Sequence, residues 1–120
     1  MTRLDASPQL PLTPIVLHIL LALAEGERHG YAIAQEIESA TGGQVRAGPG
    51  TMYGSIQRML TSGLIQEATA RPSTAGDDDR RRYYRMTPLG RRVLDLELQR
   101  LVDVVAIARG KSLLSDPHTL

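Results

Sequence analysis

The chain has 120 residues, 42% of them hydrophobic, with a formal net charge of +1 and no cysteine. That size supports one domain with a modest core and excludes a multidomain enzyme, while the missing cysteine excludes a disulfide framework, a thiolate metal site and a cysteine nucleophile. The near-zero charge says nothing by itself about nucleic acid, so such a reading rests on where the charge sits. Six of the fourteen basic residues fall between Arg80 and Arg92, and thirteen of the fourteen are Arg, the side chain whose planar fork suits phosphates and guanine edges. The longest apolar run, residues 15–24, is interrupted by His18 and is far shorter than the roughly 20 residues of a membrane span. A soluble cytoplasmic protein with no membrane association is expected.

In chain order, residues 1–12 carry Pro8 and Pro11 without periodicity and read as a flexible arm. Thr13 and Pro14 supply an N-cap and a first helical residue. The following helix, with Ile15, Leu17, Ile19, Leu20, Leu21 and Leu23, is apolar nearly all round and is expected to be buried on more than one side. Glu25, Gly26 and Glu27 stop it. A second helix is predicted over 29–41, with Ile33 and Ile37 facing inward, ended by Gly42 and Gly43. Val45 is a candidate for a very short strand, and Gly48, Pro49 and Gly50 for a turn. A third helix over 51–62 places Met52, Ile56, Met59 and Leu60 on one stripe. Its other face, Thr51, Gly54, Gln57, Arg58 and Thr61 with Tyr53 at the margin, is polar. No Asp or Glu occurs from Gly48 to Gln66.

Residues 64–70 read as a strand, 71–79 as a hairpin loop rich in Pro, Ser, Gly and Asp, and Tyr83, Tyr84 and Met86 as the returning strand, with Arg80, Arg81 and Arg82 just before it. Thr87 and Pro88 repeat the cap chemistry and start a long helix to about residue 109. Its Leu94, Leu98, Leu101, Val105 and Ala108 recur at spacings of four, three, four and three, a coiled-coil type seam. Residues 110–120 form a tail. The fold class is therefore mainly α with a small β-hairpin (α+β): a winged helix-turn-helix over 13–87 and a C-terminal helix over 88–109.

Three segments taken in order, ILLALAEGERHGYAIAQEIE from Ile19, GPGTMYGSIQRMLTSGLIQE from Gly48 and DRRRYYRMTPLGRRVL from Asp79, make the chain resemble the PadR family of winged-helix transcriptional regulators, in its short form with a single C-terminal helix. The resemblance implies a homodimer paired through the last helix that binds double-stranded DNA at a palindromic operator, commonly as a repressor released by a small-molecule effector or another signal. Carried onto this chain, Thr51, Tyr53 and Gln57 match the exposed half of the recognition helix. There Gln can contact adenine in a bidentate way, Thr a phosphate or a thymine methyl, and Tyr a phosphate. Arg58 is expected on phosphate or held within its helix, and Tyr31 on the DNA backbone or in the core. Arg80, Arg81 and Arg82 match the wing. Tyr83 and Tyr84 alternate faces, so one packs and the other can approach DNA. Dimerisation falls to Leu94, Leu98, Leu101, Val105 and Ala108.

Catalysis is not expected, since no serine pairs with a histidine and an acid in a readable motif. His18, His29 and His118 lack metal-ligand spacing, no cofactor is implied, and His29 reads as a capping or structural residue. Any effector pocket is expected to be aliphatic, built from Ile15, Leu17, Ile19 and the last helix. The competing reading is a ligand-sensing or protein-docking dimer without DNA recognition.

Overall fold

A computed structural model describes residues 10–68 and 82–114. The elements are α1 (Pro14–Leu23), β1 (Arg28–His29), α2 (Gly30–Ala40), α3 (Pro49–Thr61), β2 (Ile65–Glu67), β3 (Tyr83–Met86) and α4 (Pro88–Gly110). The sheet has the order β1-β3-β2 and is antiparallel throughout, pairing Arg28 with Tyr84, His29 with Tyr83 and Ile65 with Met86. This is the mainly helical, winged arrangement predicted from element order.

The capping chemistry is realised at both Thr-Pro pairs. Thr13 Oγ1 accepts from the Val16 N–H at 3.3 Å, and Thr87 Oγ1 accepts from the Gly90 N–H at 3.0 Å, so each satisfies a donor left without an intrahelical partner. α1 lies at the centre, in contact with α2, α3, α4 and β3. Ile19, Leu20, Ala22 and Leu23 are buried there, and Leu21 is the exposed exception. Ile33 and Ile37 of α2, Met52, Ile56 and Met59 of α3, and Leu64, Ile65, Tyr84, Val93 and Leu94 complete the core.

Four local expectations are corrected. α3 begins at Pro49 rather than Thr51; the proline does not turn the chain away from the helix but occupies its first position, where a missing N–H costs nothing. Val45 is not a strand: its N–H donates to Thr41 Oγ1 at 3.0 Å and so is not available to a ladder. β1 was not foreseen. Two residues carry no readable alternation, and this strand exists through its partners in β3, fifty-odd positions away. Leu94, assigned to the dimer seam, is buried in the core of its own chain at 3% exposure.

α4 is joined to the rest at its first turn. Gly63, at φ 81°, closes α3 with the Leu64 N–H returning to the Met59 carbonyl at 2.9 Å, as expected of a left-handed glycine cap. Thr87 then bridges this turn, its hydroxyl donating to the Gly63 carbonyl and its N–H to the Leu64 carbonyl at 3.1 Å. A Cβ on Gly90 would stand 2.1 Å from the Leu64 oxygen. About two turns further on, Glu97 is 1% exposed. It accepts from Arg100 Nε and Nη2 at 2.7 and 3.0 Å.

In an open helical site, Gly→Ala stabilises by about 1 kcal/mol, but the Leu64 carbonyl is backbone and cannot swing aside. Gly90→Ala is therefore expected to destabilise by about 1–3 kcal/mol or more in urea titration; an unchanged or raised midpoint would contradict the close approach. For Glu97, the Arg100 hydrogen bond holds the carboxyl below its ordinary range, against the opposing effect of burial. A depressed carboxyl stabilises the fold above its unfolded pKa, and this is lost as pH falls through the folded value. Glu97→Gln should flatten the acid limb of a stability-versus-pH curve while leaving the alkaline limb parallel to that of the parent.

Candidate nucleic-acid interface

α3 exposes a polar face, and Tyr31 of α2 is exposed as well. Thr51, Tyr53, Gln57 and Arg58 are all exposed on α3, Tyr53 at 67%, and Tyr31 at the start of α2 at 66%, so of the two alternatives for Tyr31 the core ring is excluded. α3 starts on Gly48 with no side-chain cap and no acid in its first turn. Its leading N–H groups and the positive end of its dipole therefore have neither a capping side chain nor an acid of the first turn to satisfy them.

Arg58 does not extend freely. Its Nη2 donates to Ser55 Oγ at 3.3 Å, and a Cβ on Gly54 would lie 3.4 Å from Nη1, so the guanidinium rests over the gap that Gly54 leaves. Ser55 is completely buried and was missed in the sequence, although its i, i+3 spacing to Arg58 is the signal that would have found it.

α2 enters on His29, whose Nδ1 accepts from the Ala32 N–H at 3.2 Å; this is the capping role expected of it. Its ring lies parallel to that of Tyr31 at a centroid distance of 6.4 Å and meets the Tyr83 ring edge-on at 5.5 Å. Tyr84 is the residue that packs, at 8% exposure, and burial is the main cause raising its phenol above the ordinary tyrosine range. Tyr83 is the half-buried partner on the other side.

Arg82 is exposed but paired, its Nη1 lying 2.8 Å from Glu67 Oε2 across the hairpin. Arg80 and Arg81 lie outside the described residues. Glu67 is the first acid after the acid-free stretch, and its role was illegible because it depends on the register that sets Glu67 opposite Tyr84. Arg85 points elsewhere, 3.4 Å from Glu27. Between α2, α3 and β3 runs a groove of about 590 Å³ whose lining includes Tyr31, Met52, Tyr53, Ile56 and Tyr84. On α4, Leu98 is 36% exposed, Leu101, Val105 and Ala108 are half-buried, and Val102, Val104 and Ile107 are exposed. No helix among the described residues is long and apolar enough to cross a membrane.

Residues 19–96 match the transcriptional regulator PadR-like family, whose members are regulators rather than enzymes. An uncharacterised protein in a transposon of Streptomyces fradiae is 37% identical over 79 residues, covering 66% of this chain and 20% of that protein. A transcriptional regulator of Mycobacterium tuberculosis is 38% identical over 78 residues, 65% of this chain and 66% of that one. The chain therefore spans less than two thirds of the length of either relative. Among solved structures, a PadR family transcription regulator from Clostridium difficile superposes with a TM-score of 0.68 at 24% identity, over 82% of this chain and 97% of that one. Bacillus subtilis PadR in complex with operator DNA gives 0.61 at 23% identity, over 72% of this chain and 47% of that one. These two likenesses establish the fold.

The His29 cap generates a direct test. His29→Ala should cost about 1 kcal/mol in urea and speed amide exchange at Ala32, whereas His29→Asn, which keeps an acceptor at the cap, should recover most of both. Equal exchange in the two variants would remove His29 from the start of α2.

Proposed function

Because the chain belongs to the PadR-like family of transcriptional regulators, we propose that it acts in the cytoplasm as a homodimeric repressor that binds a palindromic operator and is released by a small molecule or another signal. The observation that carries this reading is the exposed face of α3, uncapped and free of acids, with Tyr31 standing beside it. Thr51, Tyr53 and Gln57 are the residues to enter the major groove. Gln57 has the donor and acceptor pair suited to adenine, and the two hydroxyls suit phosphate or a thymine methyl. Tyr31 and Arg58 complete the grip on the backbone, together with Arg80, Arg81 and Arg82 of the wing. The Bacillus subtilis relative solved with operator DNA supports this use of the fold.

Pairing is assigned to the outer part of α4. Leu94 serves the core of its own chain, so the seam runs through Leu98, Leu101, Val105 and Ala108, flanked by the exposed Val102 and Ile107. A two-fold axis there sets two copies of α3 on half-sites about one helical turn of DNA apart, roughly 34 Å, or a multiple of it. The Arg82–Glu67 pair supports a wing whose cation is held in place before DNA arrives and exchanges its carboxylate for phosphate on binding.

Gel-shift titration against DNA upstream of the chain's own gene tests the reading. Binding is expected to weaken steeply with salt, with a log–log slope near −0.9 per phosphate contact. Replacing Arg80, Arg81 and Arg82 by Ala should weaken all sequences alike and shallow that slope, whereas Gln57→Ala should flatten preference at particular base pairs. A dimer without salt-sensitive binding to any operator-like fragment would instead be a ligand-sensing or protein-docking module.

A further inference from the structure

Tyr31 is left 66% exposed in the first turn of α2, and an exposed ring with no contacts would change rotamer on the ps–ns timescale. Here two contacts hold it. One turn further along α2, Gln35, itself exposed, donates from Nε2 to the Tyr31 hydroxyl oxygen at 3.2 Å, a meeting that the i, i+4 spacing of a helix makes possible. The His29 ring lies within 6° of parallel to the Tyr31 ring at a centroid distance of 6.4 Å. His29 is in turn fixed by the Ala32 N–H on its Nδ1 and by the Tyr83 ring, which it meets edge-on.

The direction of the Gln35 bond decides what the phenol can do next. An amide nitrogen only donates, so the Tyr31 oxygen is the acceptor and its own hydrogen is left to give to a third group. A carboxylate at position 35 would do the opposite, taking that hydrogen and adding a charge that repels DNA. A phosphate oxygen of the DNA backbone is ionised and can only accept, which makes it the natural partner of a phenol held in this way. We propose that Gln35 is a positioning residue for DNA binding: it orders the Tyr31 ring before DNA arrives and leaves the hydroxyl hydrogen for a backbone phosphate. Gln35 acts through Tyr31 rather than on the DNA, and it reduces the side-chain ordering that association would otherwise cost. This role rests on the DNA-binding reading above and adds to it a residue of α2 outside the polar face of α3.

The test combines gel shifts of the full chain on the fragment upstream of its own gene with NMR couplings that report the χ1 rotamer of Tyr31 in the free protein. The parent should show one rotamer and Gln35→Ala an average of several, at an unchanged urea midpoint. Gln35→Ala should weaken binding about two- to tenfold, the ordering cost of one side chain, on the fragment and on its base-pair variants alike. The salt slope should not change, because a neutral donor releases no counterion. In a Tyr31→Phe background the same substitution should have no further effect. A loss that persists in that background, a shallower salt slope, a loss confined to particular base pairs or an unchanged affinity would each overturn the role of Gln35. An averaged Tyr31 rotamer in a parent that binds the fragment would overturn this inference alone, whereas a single rotamer in a parent that binds no fragment would remove the regulator reading and this role with it.

Discussion

The approach of Gly90 to the Leu64 carbonyl is the constraint on which the rest of the molecule depends. At this point the end of α3, the root of the wing and the start of α4 meet within a few residues, and there is no room for even one methyl group. Thr87 ties the same turn through its hydroxyl and its N–H while capping α4. A hydroxyl that donates to one turn and accepts from the next leaves little freedom between the elements it joins, because moving either would strand a buried polar group. The polar face of α3 and the strands β2 and β3 are therefore positioned with respect to α4 by backbone contacts, which side-chain repacking cannot easily relax.

Much of this was legible in the sequence where local chemistry decides. Thr13-Pro14 and Thr87-Pro88 are helix starts whatever surrounds them, and the spacing of Ile33 with Ile37 and of Met52, Ile56 and Met59 selects buried faces by geometry alone. What stayed illegible depends on contacts distant in sequence. β1 is two residues held by β3, Glu67 acquires a partner only through the hairpin register, and Gly90 looks like a poor helix residue until the Leu64 oxygen is placed beside it. Leu94 shows the same limit: a periodic apolar seam does not say whether each member faces a second chain or its own core. Pro49 failed differently, since Gly-Pro-Gly suits a turn and a helix start alike.

The distribution of charge separates two kinds of surface on one face. From Gly48 to Gln66 no carboxylate opposes an approaching polyanion, and the uncapped start of α3 adds a partial positive charge. The groove beside it is different in kind, apolar in its bed and with Arg82 balanced by Glu67. Arg58 belongs to the first surface. Its guanidinium, resting over Gly54 and tethered to Ser55, keeps some donors outward while giving up part of its freedom in advance, which lowers the entropy lost when those donors meet a partner.

These placements bear on how a signal could act. If two copies pair along the outer half of α4, the tight junction at Gly90 converts any change in the pairing angle into a displacement of both α3 helices, because the junction has no slack to absorb it. A signal acting through α4 must then change the separation of the two reading heads.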